Sequence, residues 1–266
     1  MTDQTLTLRQ EFAVSTARAG GAFALERFRD LDSLTIESKG HQDLVSDADR
    51  MTEDLVRRAI SERYPDDGIV GEEYARVVGS SGYDWVIDPI DGTANFVRGI
   101  PHWCCVIACT HNGLPVVGAI FDPSTGEMFR AARGAGAFVN DRPMRVSAAQ
   151  SLSEGSVAVG ASGRSDREEA AALVREVLLP GGMFFRSASG ALMLAYVAAG
   201  RLLGYVEDHM NSWDCFAALL MLGEAGGQHL PLDPELAITE GTRVIAGGPQ
   251  VYPLLGEIAD RVYAKA

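Results

Sequence analysis

Tyr83-Asp84-Trp85-Val86-Ile87-Asp88-Pro89-Ile90-Asp91-Gly92-Thr93-Ala94-Asn95-Phe96-Val97-Arg98 is the stretch on which the reading of this chain turns. Trp85, Val86 and Ile87 form a short apolar run, the mark of a buried strand. Pro89 has no backbone donor, so the ladder is expected to stop at Asp88. Asp91 follows three residues on, and Gly92-Thr93 reads as the start of a short helix. Paired carboxylates beside a Gly-Thr turn suit a hard cation, which takes oxygen ligands. The free N–H groups of a helix start suit a phosphate. Asp-Gly pairs are also ordinary turn formers and helix caps, so both readings stand at this point.

Working outward, residues 5–30 have helical spacing, with Leu8, Phe12, Phe23, Leu25 and Phe28 on apolar faces, and Gly20-Gly21 is expected to weaken or break the middle. A short strand is expected over 34–38, a polar loop over 39–43 and a helix over 47–63, with Ser46 and Asp49 spaced as a capping box. Ile69-Val70 is a brief strand closed by Gly71-Glu72-Glu73, a second acidic strand end. Beyond the central motif, strands over 103–110 and 115–122 flank the turn residues His111-Asn112-Gly113, and strands over 127–132 and 137–140 extend the meander. The second half alternates a helix (165–179), a strand (183–186), a helix (187–199), a strand (202–207) and a helix (214–225) stopped by Gly226-Gly227. Asp214 makes a third acidic element after a strand, although it reads equally well as an N-cap. No repeats, low-complexity segments or long linkers interrupt the chain. The alternation points to an α/β or α+β layered sandwich, whose strand ends can bring distant carboxylates to one edge.

The 266 residues, 47% hydrophobic and 22% charged, describe a globular chain of one large domain or two closely packed halves. A net charge of -13 argues against nucleic acid as a partner and means that a phosphate site here needs bound cations. Cys104, Cys105, Cys109 and Cys215 form no paired motif and read as buried, reduced thiols. The N-terminus has no charged-then-apolar leader, and no apolar run approaches membrane-spanning length. The expectation is a soluble, cytoplasmic protein with no membrane association.

These elements together resemble the inositol monophosphatase family of Mg²⁺-dependent, lithium-sensitive phosphatases. Its signature, apolar-Asp-Pro-Ile-Asp-Gly-Thr-x-Asn-Phe, is matched from Val86 to Phe96. Its Gly-Glu-Glu element is Gly71-Glu72-Glu73, its Asp-Leu-Val-(Ser/Thr)-x-x-Asp element runs from Asp43 to Asp49, and its Trp-Asp helix starts at Trp213-Asp214. The resemblance covers nearly the whole chain. It implies a layered α-β-α-β-α sandwich, usually a homodimer. The chain is then a single catalytic domain over 1–266, with 1–145 the metal- and phosphate-binding half and 146–266 the specificity half that contributes Asp214. By the same analogy Glu72, Asp88 and the Ile90 carbonyl would hold one Mg²⁺, and Asp88, Asp91 and Asp214 a second. A third, mostly water-bound ion would sit near Glu72, giving two or three ions per site. Gly92 and Thr93 would donate N–H groups to the phosphate. A metal-activated water would attack phosphorus, with Thr93 passing its proton towards Asp49 and no covalent intermediate. The catalytic set implied is thus Glu72, Thr93 and Asp49.

For substrate contacts the resemblance implies Glu207 and the run Arg186-Ser187-Ala188-Ser189-Gly190-Ala191, with Arg186 and Ala191 the positions singled out. The chain departs from the family where Ser189-Gly190 reverses the usual order, where Asn211 replaces a His or Tyr, and where Phe216 replaces a small residue. The first two weaken inositol 1-phosphate as sole substrate; the third reads as core packing. His41, His102, His111, His209 and His229 lack zinc-like spacing, and only His209, near Glu207, is placed to touch substrate. Lys39 matches a loop lysine associated with the third metal and reads equally as an exposed lysine. The expected activity is hydrolysis of a small phosphorylated metabolite, inositol 1-phosphate or a similar polyol phosphate. The alternatives are histidinol phosphate or a sugar bisphosphate on the same scaffold, and, from another class, a protein-binding scaffold role.

Overall fold

The computed structural model describes residues 3–40 and 43–263. His41 lies outside the described residues, as does the side chain of Lys39. A 26-residue helix, α1 (Asp3–Phe28), leads into a hairpin of β1 (Ile36–Gly40) and β2 (Asp43–Ser46) and then α2 (Asp47–Arg63). A seven-stranded sheet follows from β3 (Gly68–Gly71) and β4 (Tyr83–Asp91), the short α3 (Thr93–Phe96), and β5 (Cys104–His111), β6 (Leu114–Asp122), β7 (Glu127–Ala132), β8 (Ala137–Val139) and β9 (Arg142–Pro143). Its strands lie in chain order, β3 and β4 parallel and the remaining pairs antiparallel. The second half comprises β10 (Ser156–Val159), α4 (Arg167–Leu178), β11 (Met183–Phe185), α5 (Gly190–Ala198), β12 (Gly204–Met210), α6 (Ser212–Glu224), β13 (Gln228–His229), α7 (Ala237–Glu240), β14 (Thr242–Gly247) and α8 (Val251–Tyr263). Its five strands are ordered β11-β10-β12-β14-β13.

The period of two along each strand distributes residues between two cores. Trp85, Ile87, Ile107 and Cys109 face α1 and α2, where Ala13, Ala17, Val56 and Ile60 meet them. Val86, Val106, Ala108 and Ile120 face α5 and α6, and the far side of those helices packs on Tyr205, Val244 and Ala246 of the second sheet. A third core, built on Leu173, Val177, Leu255 and Ile258, covers that sheet with α4 and α8. Helices, sheet, helices, sheet, helices: the α-β-α-β-α sandwich is the architecture of this chain. With both faces of the first sheet covered, its strands are continuously apolar rather than alternating with polar residues.

The structure corrects three expectations. Gly20-Gly21 does not break α1, because a Cβ on Gly21 would stand 2.6 Å from Phe121 Cδ1; the glycines admit close contact with the sheet instead. Pro89 does not end β4, because it sits in a bulge. Register runs from Asp88 opposite Val106 to Asp91 opposite Cys104, one residue more on β4 than on β5. The helix expected over 187–199 begins at Gly190, since Ala188 has a φ of 60° and Ser189 is the N-cap. The apolar stretch 184–205 packs mostly inside the chain. Ala191 to Ala195 and Tyr205 are buried, which leaves Met183 and Phe184 exposed. The elements beyond residue 227 were not foreseen, although Val251, Leu255, Ile258 and Val262 of α8 have helical spacing.

Candidate active site

Two parallel strands deliver the first carboxylates to one edge. Because β3 and β4 run the same way, Glu72 just after β3 and Asp88 to Asp91 at the end of β4 emerge together. The bulge then matters for side-chain direction. Residues three apart on a regular strand face opposite sides, and one inserted residue restores Asp88 and Asp91 to the same side. Asp214, in the first turn of α6, comes in from the second half. One carboxylate oxygen from each of Asp88, Asp91 and Asp214 lies within 4.8 Å of the others.

Each carboxylate is held by its own donors. The Ile90 N–H donates to Asp88 Oδ1 at 3.0 Å. Asp91 Oδ2 accepts from the Ser189 hydroxyl at 2.5 Å and from the Ala191 N–H at 2.9 Å, while the Gly190 N–H reaches Oδ1 at 3.2 Å. Asp91 therefore sits on the N-terminus of α5, whose dipole favours a negative charge. Asp214 Oδ2 accepts from the Asn211 N–H at 3.1 Å and from Asn211 Nδ2 at 3.3 Å. Burial pushes the Asp88 carboxyl well up, helped by Glu72, Asp91 and Asp214, and it raises Asp91 despite those donors. Burial, then the Asp91 charge, lifts Asp214 to about 7. Among the described residues no lysine or arginine pairs with any of the three.

These groups border a cavity of about 830 Å³. Glu72, Asp91, Gly92, Thr93, Arg186, Glu207, His209, Asn211 and Asp214 line it, whereas Asp88 and Asp49 lie buried beneath. Ala191 does not reach the cavity wall: it is fully buried and its N–H is turned to Asp91. Thr93 Oγ1 lies 3.0 Å from both Asp49 Oδ1 and the Ile90 carbonyl oxygen. Asp49 also accepts from the Ser46 N–H at 2.9 Å and hydroxyl at 2.6 Å, and burial lifts it to about 6. Across the cavity, Tyr205 donates to Glu207 Oε2 at 2.5 Å, and burial raises Glu207 to about 8. Sequence reasoning missed Ser189 and Tyr205 as partners of Asp91 and Glu207. No local pattern marks Ser189, which reaches Asp91 from another element, whereas Tyr205 stands two residues before Glu207 on the same face of β12.

The chain matches the inositol monophosphatase family over residues 6–264. It belongs to that family. The Nus factor SuhB of Xylella fastidiosa is 41% identical over 216 residues, covering 80% of this chain and 78% of that protein. The inositol-1-monophosphatase of Rhizobium meliloti is 35% identical over 247 residues, 92% of each chain. Among solved structures, extragenic suppressor protein suhB of Bartonella henselae superposes with a TM-score of 0.88 at 34% identity, covering 93% of this chain and 96% of that one. As a member of this family the chain is a phosphatase, and the family is one of metal-dependent enzymes. The donor set fits such an ion: three crowded carboxylates with raised proton affinities, ion-paired to no lysine or arginine among the described residues, are an all-oxygen site for a divalent cation. Among the described residues no helix is long and apolar enough to cross a membrane.

Proposed function

We propose that this chain hydrolyses a small phosphate monoester, inositol 1-phosphate or a similar polyol phosphate, with two or three Mg²⁺ per site. The observation that carries the reading is the meeting of Asp88, Asp91 and Asp214 within 4.8 Å beside a cavity of about 830 Å³. Glu72, Asp88, the Ile90 carbonyl, Asp91 and Asp214 would hold the divalent ions, which when bound would supply the positive charge that admits the ester and Lewis acidity towards its phosphoryl oxygens and a water. The Gly92 and Thr93 amides, at the start of α3, orient the phosphate. The Thr93 hydroxyl and Asp49 form the proton path: the hydroxyl proton goes to the Asp49 carboxylate as Thr93 accepts the proton of the attacking water. A value of about 6 for Asp49 leaves it able to accept and return a proton near neutral pH. Glu207, with one oxygen occupied by Tyr205, keeps the other for a substrate hydroxyl, and Arg186 flanks it. No side chain of the protein is required as nucleophile. A cytoplasmic homodimer is part of the same reading, on general family grounds.

A specific observation favours a second substrate class on the same machinery. Arg98, Arg164 and Arg186 all line the cavity, and among the described residues their guanidinium groups hydrogen-bond neutral oxygens: Ala94 O at 2.7 Å, Asn211 Oδ1 at 3.2 Å and Ala161 O at 2.9 Å. Three cationic groups at the mouth of an acidic protein's cavity suit an ester with a second anionic group, such as a sugar bisphosphate. Phosphate release from inositol 1-phosphate, histidinol phosphate and a sugar bisphosphate, with Mg²⁺ and with added Li⁺, tests the reading. Turnover of a polyol or sugar phosphate is expected. Binding of a protein partner with no turnover on any member would favour the scaffold role that the name of the Xylella relative suggests.

A further inference from the structure

Beneath Glu72 lies a clamp that the reaction described above does not use. Glu53 sits on the inner face of α2 with its side chain fully enclosed, beside the apolar Val56 and Ile60. Arg57, one turn on, donates Nε–H to Glu53 Oε1 at 2.6 Å. The other carboxylate oxygen, Oε2, accepts the Glu73 N–H at 2.8 Å. Arg57 then reaches past Glu53, and its Nη2 donates to the Tyr74 carbonyl at 3.0 Å. On the near side, a Cβ on Gly71 would stand 2.1 Å from Glu53 Oε1, so strand β3 lies directly on the carboxylate. The backbone is thus fixed at residues 71, 73 and 74, and Glu72 is the residue between, at the cavity wall.

We infer that Glu53 and Arg57 are positioning residues that hold Glu72 in place for a divalent cation. The inference rests on the metal-dependent reading of the cavity. A buried carboxylate and guanidinium are poor devices for stability alone, since an apolar pair of equal volume avoids their desolvation. What they add is direction: both oxygens of Glu53 face donors, one on α2 and one on the segment that carries Glu72. Only a carboxylate satisfies both. An amide offers one acceptor and would turn its NH₂ against either Arg57 or the Glu73 N–H.

The test is Mn²⁺ binding, measured by electron paramagnetic resonance on the intact protein, for wild type and Glu53→Gln, with melting in chelator as the control of folding. Groups that orient a metal ligand from behind typically matter by 10–100-fold in affinity. Glu53→Gln is therefore expected to weaken Mn²⁺ binding about tenfold and to raise the half-saturating Mg²⁺ for phosphate release by the same factor. Substrate KM at saturating Mg²⁺ should hold. Gly71→Ala, which pushes the segment off from the other side, is expected to weaken the ion in the same direction. Wild-type Mn²⁺ affinity in Glu53→Gln, whether or not its melting temperature falls, would overturn the positioning role and leave the phosphatase reading standing. No Mn²⁺ binding by the wild type would overturn both.

Discussion

Thr93 has one hydroxyl hydrogen and two acceptors at 3.0 Å, Asp49 Oδ1 and the Ile90 carbonyl. It can serve only one at a time, and the proposed chemistry needs it on Asp49 when a proton moves, leaving the carbonyl free for a cation. Thr93→Ala and Asp49→Asn are accordingly expected to lower kcat by about 10²–10⁴-fold, with Mn²⁺ affinity kept within a few-fold; steady-state kinetics beside a binding titration checks this. Asp214 and Glu207 contribute to the pH dependence of the metal-free fold, beside Asp49, Asp88 and Asp91, which burial also raises. The folded values of Asp214 and Glu207, about 7 and about 8, lie above those of an unfolded carboxylate, near about 4. The folded chain therefore holds protons that the unfolded chain has released, and stability falls as pH rises. That contribution is complete below about pH 4 and is lost through about 7 for Asp214 and about 8 for Glu207. Melting in chelator should fall between about pH 4 and about pH 8 and level off above that. Saturating Mg²⁺ should remove the Asp214 part of the slope and leave the Glu207 part, because Glu207 is not among the proposed ligands.

At the scale of elements, the bulge in β4 converts a sequence motif into a site. An uninterrupted strand would place Asp88 and Asp91 on opposite faces, and the inserted residue brings them together. The motif's carboxylates were legible in the sequence, but the bulge was not: proline signals a lost donor without saying whether the strand stops or buckles. The meander was equally legible, because Asn112-Gly113 dictates a tight hairpin with positive φ at both residues. Gly20-Gly21 was misjudged, since propensity counts against glycine in a helix, whereas the neighbour that wants a bare backbone, Phe121, lies a hundred residues on. Gly21→Ala is expected to cost about 1–3 kcal/mol by forcing Phe121 aside, seen as a lower denaturant midpoint. kcat should hold, because α1 contributes nothing to the cavity wall. Glu53 escaped notice for a related reason: an acidic residue at helical spacing with Val56 and Ile60 reads as a fault in an apolar face until its partners across the fold are known.

For the whole molecule, five layers bring two sheets and the α5–α6 pair to one cavity, so no single segment contains the site. Glu72, Asp88 and Asp91 come from around the first sheet and Asp214 from α6, while α5 donates to Asp91 from between the sheets. Ion binding should therefore stabilise the fold globally: at 100 times its dissociation constant, Mg²⁺ is expected to add about 2.7 kcal/mol. Asp214→Asn should abolish most of that gain in a melting series. The measurement that bears most directly on the central claim is phosphate release from inositol 1-phosphate and a sugar bisphosphate by protein stripped in excess chelator, before and after Mg²⁺ is restored. Turnover of at least one ester should be absent in chelator, return with Mg²⁺ and fall by about 10²-fold or more in Asp91→Asn. Undiminished turnover in chelator would contradict the account.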